Sequence, residues 1–213
     1  GALSTPVFPA TPVGTSSTAT ATLSNTGIGA LTVAAPSAAS VSGAGYSFVS
    51  STCGSAVAVD GNCTITVQFS PTTTNAAAGT LTLNTGAGSK SASFNTTGIQ
   101  GFASLSPSSI AFAPQQISTT SAVQVVTLTN TGTAPLTVGG VGMVSGSSDF
   151  NHSNSCGSAL AVGASCTISV SFTPVAANGR SGVVGFTTNG GGASTFAVSG
   201  TGVAAATGSG SFA

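Results

Sequence analysis

One passage occurs twice in this chain. Cys53-GSAVAVDGN-Cys63-TITVQFSP returns as Cys156-GSALAVGAS-Cys166-TISVSFTP, 103 residues later. Leu23-Ser-Asn-Thr-Gly27 returns as Leu128-Thr-Asn-Thr-Gly132, 105 residues later, and Asn75 and Gly79 line up with Asn178 and Gly182. A repeat of about 100 residues covering nearly the whole chain dictates two copies of one domain rather than one large fold. The expected boundaries are 1–99 and 102–202, with 203–213 left as a tail or an intersubunit strand. Duplication also filters function, because a site on shared positions must account for both copies.

Only Asp60, Lys90, Asp149 and Arg180 carry a full charge, 2% of 213 residues, and the net charge is zero. Globular chains typically carry about 25%, so solvation must rest on Ser, Thr, Gly and Asn. A chain without net charge has no field to steer nucleic acid, anionic lipid or a charged substrate, which excludes nucleic-acid binding. It also lacks the long-range repulsion that keeps copies apart, which favours self-association. Disorder is excluded from the other side. Hydrophobic residues make up 40% of the chain, whereas disordered segments join low hydrophobicity to high charge. No run approaches 18 apolar residues, so no membrane span is expected. No charged segment leads into an apolar one at the N-terminus, and Gly1 reads as the first residue of a mature or excised chain.

The four cysteines fall two per repeat, each pair spaced Cys-x9-Cys. Duplication favours Cys53–Cys63 and Cys156–Cys166 among the three pairings. Zinc needs ligands clustered at short spacing, usually with His, and the chain has one His. Two local disulfides point to an oxidising compartment, extracellular or at the cell surface.

Thr64-Ile65-Thr66-Val67-Gln68-Phe69 alternates polar and apolar residues, as does Thr167-Ile168-Ser169-Val170-Ser171-Phe172. Period two predicts half-buried antiparallel strands with Ile65, Val67 and Phe69 on one face. Thr18–Leu23 and Gly79–Leu83 behave alike, and Ala92 with Phe94, Val126 with Leu128, Val184 with Phe186, and Phe196 with Val198 extend the pattern. Asn25-Thr-Gly27, Asp60-Gly61, Asn84-Thr-Gly86, Asn130-Thr-Gly132 and Asn189-Gly190 mark turns. In the first repeat strands are expected near 6–13, 17–25, 29–34, 44–50, 63–70, 78–85 and 90–97. The fold class is therefore all-β: two tandem seven-stranded immunoglobulin-like β-sandwiches, each with one local disulfide. The antibody framework is absent, since the chain has no Trp and its paired cysteines lie ten residues apart.

Each repeat runs from a Phe through L-x-N-T-G and L-T-V to C-G…C-T-I-x-V-x-F-x-P, and closes on a glycine-containing stretch. This resembles the Hydin-type (ASH-like) immunoglobulin-like domains, found in bacterial secreted proteins as choice-of-anchor D domains. The resemblance covers residues 2–99 and 103–202, and its most specific part ends in Phe69-Ser-Pro71 and Phe172-Thr-Pro174. It implies a seven-stranded sandwich used in tandem outside the cell as a scaffold or interaction module. It implies no catalytic residue and no cofactor. The scarcity of charge departs from the family and suggests a surface selected for packing or inertness.

Chemistry is thinly represented. His152, with Asp149 three residues before it and Ser153 and Ser155 after it, sketches a nucleophilic triad, but the first repeat has no His. Asp60 and Asp149, the only acids, occupy different repeats and non-equivalent positions, which is no basis for paired-carboxylate glycoside chemistry. Two Asp residues cannot furnish a calcium site, and Gly190-Gly191-Gly192 precedes no helix that would make it a phosphate loop. No metal site is expected. Asn95-Thr-Thr and Asn151-His-Ser match the N-glycosylation sequon, as does Asn62-Cys-Thr, where the neighbouring cysteine makes a poor acceptor. The Thr18, Thr20, Thr22 and Thr80, Thr82 rows suit an ice- or carbohydrate-binding face, though Thr on an outward β face is ordinary. The second repeat has Val183 and Gly185 in place of Thr80 and Thr82.

What remains is assembly. Uncharged domains pack without burying unpaired ions, and the link Gly98-Ile-Gln-Gly101 is short. The expected role is a non-enzymatic structural subunit polymerising with itself by β-strand addition or face packing. Leu3, Val7, Phe8, Val203 and Phe212 are the candidate intersubunit residues. The alternative is a tandem spacer or adhesive module of a larger secreted protein, with surface glycans or neighbouring surface proteins as partners.

Overall fold

The structure is a computed structural model that describes residues 1–146 and 148–205. The chain divides into two compact units, Gly1–Ile99 and Gln100–Ala213. Unit 1 contains β1 (Ala2–Leu3), β2 (Thr11–Pro12), β3 (Ser17–Ser24), β4 (Leu31–Thr32) and, after a 3₁₀ turn at Ala38–Ser40, β5 (Val41–Ser42). It continues with β6 (Tyr46–Ser51), β7 (Ala56–Val57), β8 (Asn62–Phe69), β9 (Ala76–Thr85) and β10 (Gly88–Ile99). Two sheets, ordered β1-β3-β8-β6 and β2-β10-β9-β5, enclose one core, and β4 pairs with β7.

Unit 2 opens with β11 (Phe102–Ser106), β12 (Ser109–Ala111), β13 (Gln115–Gln116), β14 (Gln124–Asn130) and β15 (Leu136–Gly146). Then come β16 (Phe150–Asn154), β17 (Ala159–Leu160), β18 (Ser165–Phe172), β19 (Asn178–Thr188), β20 (Gly191–Gly192) and β21 (Thr195–Val203). Its sheets run β16-β18-β14-β11-β20 and β12-β21-β19-β15-β17, with β13 also on β21. Both units are all-β, immunoglobulin-like sandwiches.

Period-two alternation builds the core in each. Along β8 Cys63, Ile65, Val67 and Phe69 point inward, and along β18 Cys166, Ile168, Val170 and Phe172 do the same. Burying a side chain of this size removes apolar surface worth roughly 1.5–3 kcal/mol. The duplication extends to register. Leu23 lies opposite Cys63 and Leu128 opposite Cys166. The Ser70 N–H donates to the Gly45 carbonyl and the Thr173 N–H to the Asp149 carbonyl, both at 2.8 Å.

Two expected strands are shorter than the pattern suggested. Of residues 6–13 only Thr11–Pro12 is a strand, because Pro6, Pro9 and Pro12 lack ladder donors. Residues 29–34 reduce to Leu31–Thr32 and an isolated Val33–Thr85 bridge before Pro36. The unit 2 counterpart has no proline between 136 and 146 and forms one strand, β15.

Candidate functional site

The two Asn-Thr-Gly runs, expected only as turns, are anchors at one end of each sandwich. Asn25 is 3% exposed and its Nδ2 donates to the carbonyls of Gly29, Val57 and Ala58 at 2.8–3.1 Å, while its Oδ1 accepts from the Gly27 N–H at 3.0 Å. Asn130, fully buried, donates to Ala134 and Leu160 and accepts from the Gly132 N–H. A buried amide stays stable only when its polar atoms find partners, and here they tie two loops together.

Asn130 does one thing more. Its Oδ1 also accepts from the Phe102 N–H at 3.1 Å. The Phe102 carbonyl accepts from Thr131 at 2.8 Å, and the Gln100 carbonyl from Thr133 and Ala134 at 2.8 and 3.3 Å. The segment 100–102 thus lies across the loop that follows Asn130. In unit 1 the corresponding loop borders a hollow of about 340 Å³ whose lining includes Gly1, Asn25, Gly27, Leu31, Gly86 and Ala87.

The other end of each sandwich is closed differently. In unit 1 Tyr46 packs at 4.7 Å from Phe69 and 4.9 Å from Phe94, between ring centres, and its hydroxyl donates to the Ala77 carbonyl at 2.9 Å. Burial pushes its phenol above the ordinary value, against a smaller opposing effect from the Thr96 backbone. A hollow of about 320 Å³ lies beside it, lined in part by Gly45, Pro71, Asn75 and Ala77. In unit 2 Phe150 takes the place of Tyr46, opposite Phe172 as Tyr46 is opposite Phe69. Asp149 and Arg180 stand where unit 1 has Gly45 and Ala77. The Asp149 carboxylate, 1% exposed with its residue, is bound by the Arg180 guanidinium. Sequence reasoning missed this pair. Its signal was available, since these are the only opposite charges in the second repeat.

Both disulfides form locally, Cys53–Cys63 and Cys156–Cys166, each with 4.9 Å between Cα atoms. Asp60 turns the first of these loops at φ +59°, and Gly163 turns the second at φ +77°. Asp60 therefore does the work of a turn residue.

The intersubunit candidates separate. Phe8 corrects the expectation: it is a core residue, 5.3 Å from Tyr46 and 5.6 Å from Phe94 between ring centres, and a side chain consumed by its own core cannot cover a neighbour. Leu3 is likewise packed against that core, and β1 pairs with β3 of the same unit. Val7 is 83% exposed and Val203 is 38% exposed at the end of β21. Phe212 lies outside the described residues. The sequon residues Asn95, on β10, and Asn151, on β16, are both exposed.

The sketched triad is not assembled. Asp149 is engaged by Arg180, and the Ser155 hydroxyl is 2.9 Å from that of Thr167. His152 is exposed on β16, an outermost strand paired only with β18. The Thr rows are divided too. Thr18, Thr20 and Thr22 belong to the β3 sheet and Thr80 and Thr82 to the β9 sheet, so they share no face. Among the described residues, no group of three or more His, Cys, Asp or Glu could hold a metal ion. Nor is any helix long and apolar enough to cross a membrane.

No protein-family model and no curated protein sequence matches the chain. Solved structures do. It is similar to the ASH/PapD-like domain 7 of human CEP192, at 15% identity and a TM-score of 0.42 over 48% of this chain and 86% of that one. It is similar to a Porphyromonas gingivalis W83 protein of unknown function, at 12% identity and a TM-score of 0.37 over 94% and 100%. It is similar to the Yersinia pseudotuberculosis adhesin InvE, at 17% identity and a TM-score of 0.32 over 93% and 60%. Likeness of this order concerns the fold alone.

Proposed function

We propose that this chain is a non-enzymatic structural subunit of an extracellular filament or surface assembly, polymerising through strand addition or face packing of uncharged domains. The observation that carries this reading is the character of the outermost strands. β6 and β16 pair on one side only, and neither Tyr46–Ser51 nor Phe150–Asn154 contains Lys, Arg, Asp or Glu. Sheet edges are ordinarily guarded by charge, proline or a bulge. β6 has a bulge between Phe48 and Ser50, whereas the β16 register is unbroken. Faces without ions can meet without desolvating them, and the two disulfides support secretion.

Electron microscopy of residues 1–213 beside an Asn151→Lys/Ser153→Lys variant tests the reading. Ordered assemblies in the unaltered chain, shortened or lost in the variant, are expected. A chain that stays monomeric at every concentration would sink it. Deleting residues 1–8 is no substitute, because it removes Phe8 from the core.

An alternative is a tandem spacer or adhesive module of a larger secreted protein of the choice-of-anchor D kind. It draws on the short link Gly98-Ile-Gln-Gly101 that joins two copies of one fold in tandem.

A further inference from the structure

Among the described residues, two outermost strands are longer than three residues, β6 of unit 1 and β16 of unit 2. The shorter edges offer a partner few main-chain groups to pair with. The two long edges differ in what they present. In β6 the Tyr46 N–H is taken by the Gly43 carbonyl at 3.2 Å, and the 3₁₀ turn at Ala38–Ser40 packs beside the strand. The bulge between Phe48 and Ser50 then breaks the alternation.

β16 keeps an even register with β18 from Phe150 to Asn154. Hydrogen bonds beyond both of its ends fix the direction of every group between them. The Thr173 N–H donates to the Asp149 carbonyl at 2.8 Å, and the Ser155 N–H to the Thr167 carbonyl at 2.9 Å. Asp149 and Ser155 therefore turn their main-chain groups toward β18. Antiparallel pairing alternates, so Asn151 and Ser153 do the same, while Phe150, His152 and Asn154 turn theirs to the open side.

That array is its own complement. A two-fold axis through the middle of the strand sets His152 opposite His152 and Phe150 opposite Asn154, each a hydrogen-bonded pair, for about six bonds between the copies. On the outer face the same register puts the exposed Asn151 beside the exposed Ser153 of the other copy, amide against hydroxyl. The strand carries no Lys, Arg, Asp or Glu, and the Asp149 carboxylate just before it is already held by Arg180. A net charge of zero adds no repulsion between copies.

We propose that β16 pairs antiparallel with β16 of a second copy about His152, so that the five-stranded sheet of unit 2 continues from one copy into the other. This rests on the assembly reading and names the strand, its partner and its register. The contact is isologous and closes on itself. The pair is then the building block of the assembly, and growth beyond it uses another face.

The experiment compares chain 1–213 with His152→Pro by sedimentation over a concentration series. Amide exchange in the parent chain, quenched and read by NMR, is followed at both ends of that series. The variant removes an N–H that β18 does not use, at an edge that tolerates proline, so unit 2 should keep its melting transition. It should associate more than about tenfold more weakly, having lost both bonds of the central pair. In the parent, association should slow exchange at His152 and Asn154 and leave Asn151 and Ser153, already bonded to β18, as they were. An Asn151→Cys/Ser153→Cys variant should join two chains on mild oxidation, because these positions face each other as a close, non-hydrogen-bonded pair. If unit 2 melts early in His152→Pro, the exchange and cross-linking results decide alone. Association without slowed exchange at His152 and Asn154 overturns the β16 contact and leaves the assembly reading standing. Slowed exchange there without the covalent link means another strand or register on β16, which overturns the self-pairing. A parent that is monomeric at every concentration overturns both.

Discussion

Unit 1 and unit 2 agree down to individual backbone hydrogen bonds, yet they close the same end of the sandwich with opposite chemistry. Unit 1 uses a cluster of Phe8, Tyr46, Phe69 and Phe94, with one phenol hydroxyl reaching the Ala77 carbonyl. Unit 2 uses Phe112, Phe150 and Phe172, with the Asp149–Arg180 ion pair where unit 1 has Gly45 and Ala77. An aromatic closure is graded: each group removed costs its own contacts. A buried ion pair is all or none, because deleting one member strands the other charge in a poorly solvated place. The same fold therefore carries two different tolerances to mutation.

The largest test of that contrast is Arg180→Ala. Stranding Asp149 should lower the stability of unit 2 by about 3 kcal/mol, with the unit 1 transition unmoved in a two-transition calorimetric trace. The double variant Asp149→Gly/Arg180→Ala, which installs the unit 1 residues, should recover part of that loss. If Arg180→Ala alone proves neutral, the ion pair is not what closes this end.

The disulfides should not distinguish the units. Cys53→Ser and Cys156→Ser should each cost about 2–3 kcal/mol in its own unit, and intact mass under non-reducing conditions should show no free thiol in the parent chain. Unequal losses would locate a difference the shared geometry does not account for.

Asn130→Ala should cost more than Asn25→Ala, both on the order of 2 kcal/mol, because Asn130 also holds the Phe102 N–H. Equal losses would mean that the Phe102–Asn130 hydrogen bond adds no stability.

The smallest effect belongs to Tyr46→Phe, about 1 kcal/mol for one hydroxyl hydrogen bond. It carries a pH signature. Burial raises the folded phenol pKa above its unfolded value, so the folded state holds the proton more tightly. The contribution is whole below about pH 10 and is lost as pH rises through the folded value. Unit 1 should weaken in alkali, Tyr46→Phe should abolish that weakening, and unit 2, with Phe150, should lack it.

Much of this was legible from the repeat. Period-two alternation foretold Ile65, Val67, Phe69 and their partners Ile168, Val170, Phe172 as inward residues, because a pleated strand leaves a side chain only two directions. The cysteine pairs followed from duplication. Phe8 was misread because it follows one proline and precedes two more in a stretch without alternation, and what buries it is a ring cluster drawn from β6, β8 and β10. Asn25 and Asn130 were visible only as turn formers, since a turn Asn and a buried anchoring Asn look alike until the loops at Val57 and Leu160 are brought to them.

The sequence by itself determined two domains, their all-β class, their strand faces and their disulfides. All of these rest on short-range periodicity and on internal repetition, which one dimension preserves. Only the tertiary structure decided that Asp149 meets Arg180 across 31 residues, that Tyr46 reaches Ala77, and that Asn130 holds the Phe102 N–H. Those outcomes depend on which strands become neighbours and on the volume left between them, and neither is written in the spacing of residues along the chain.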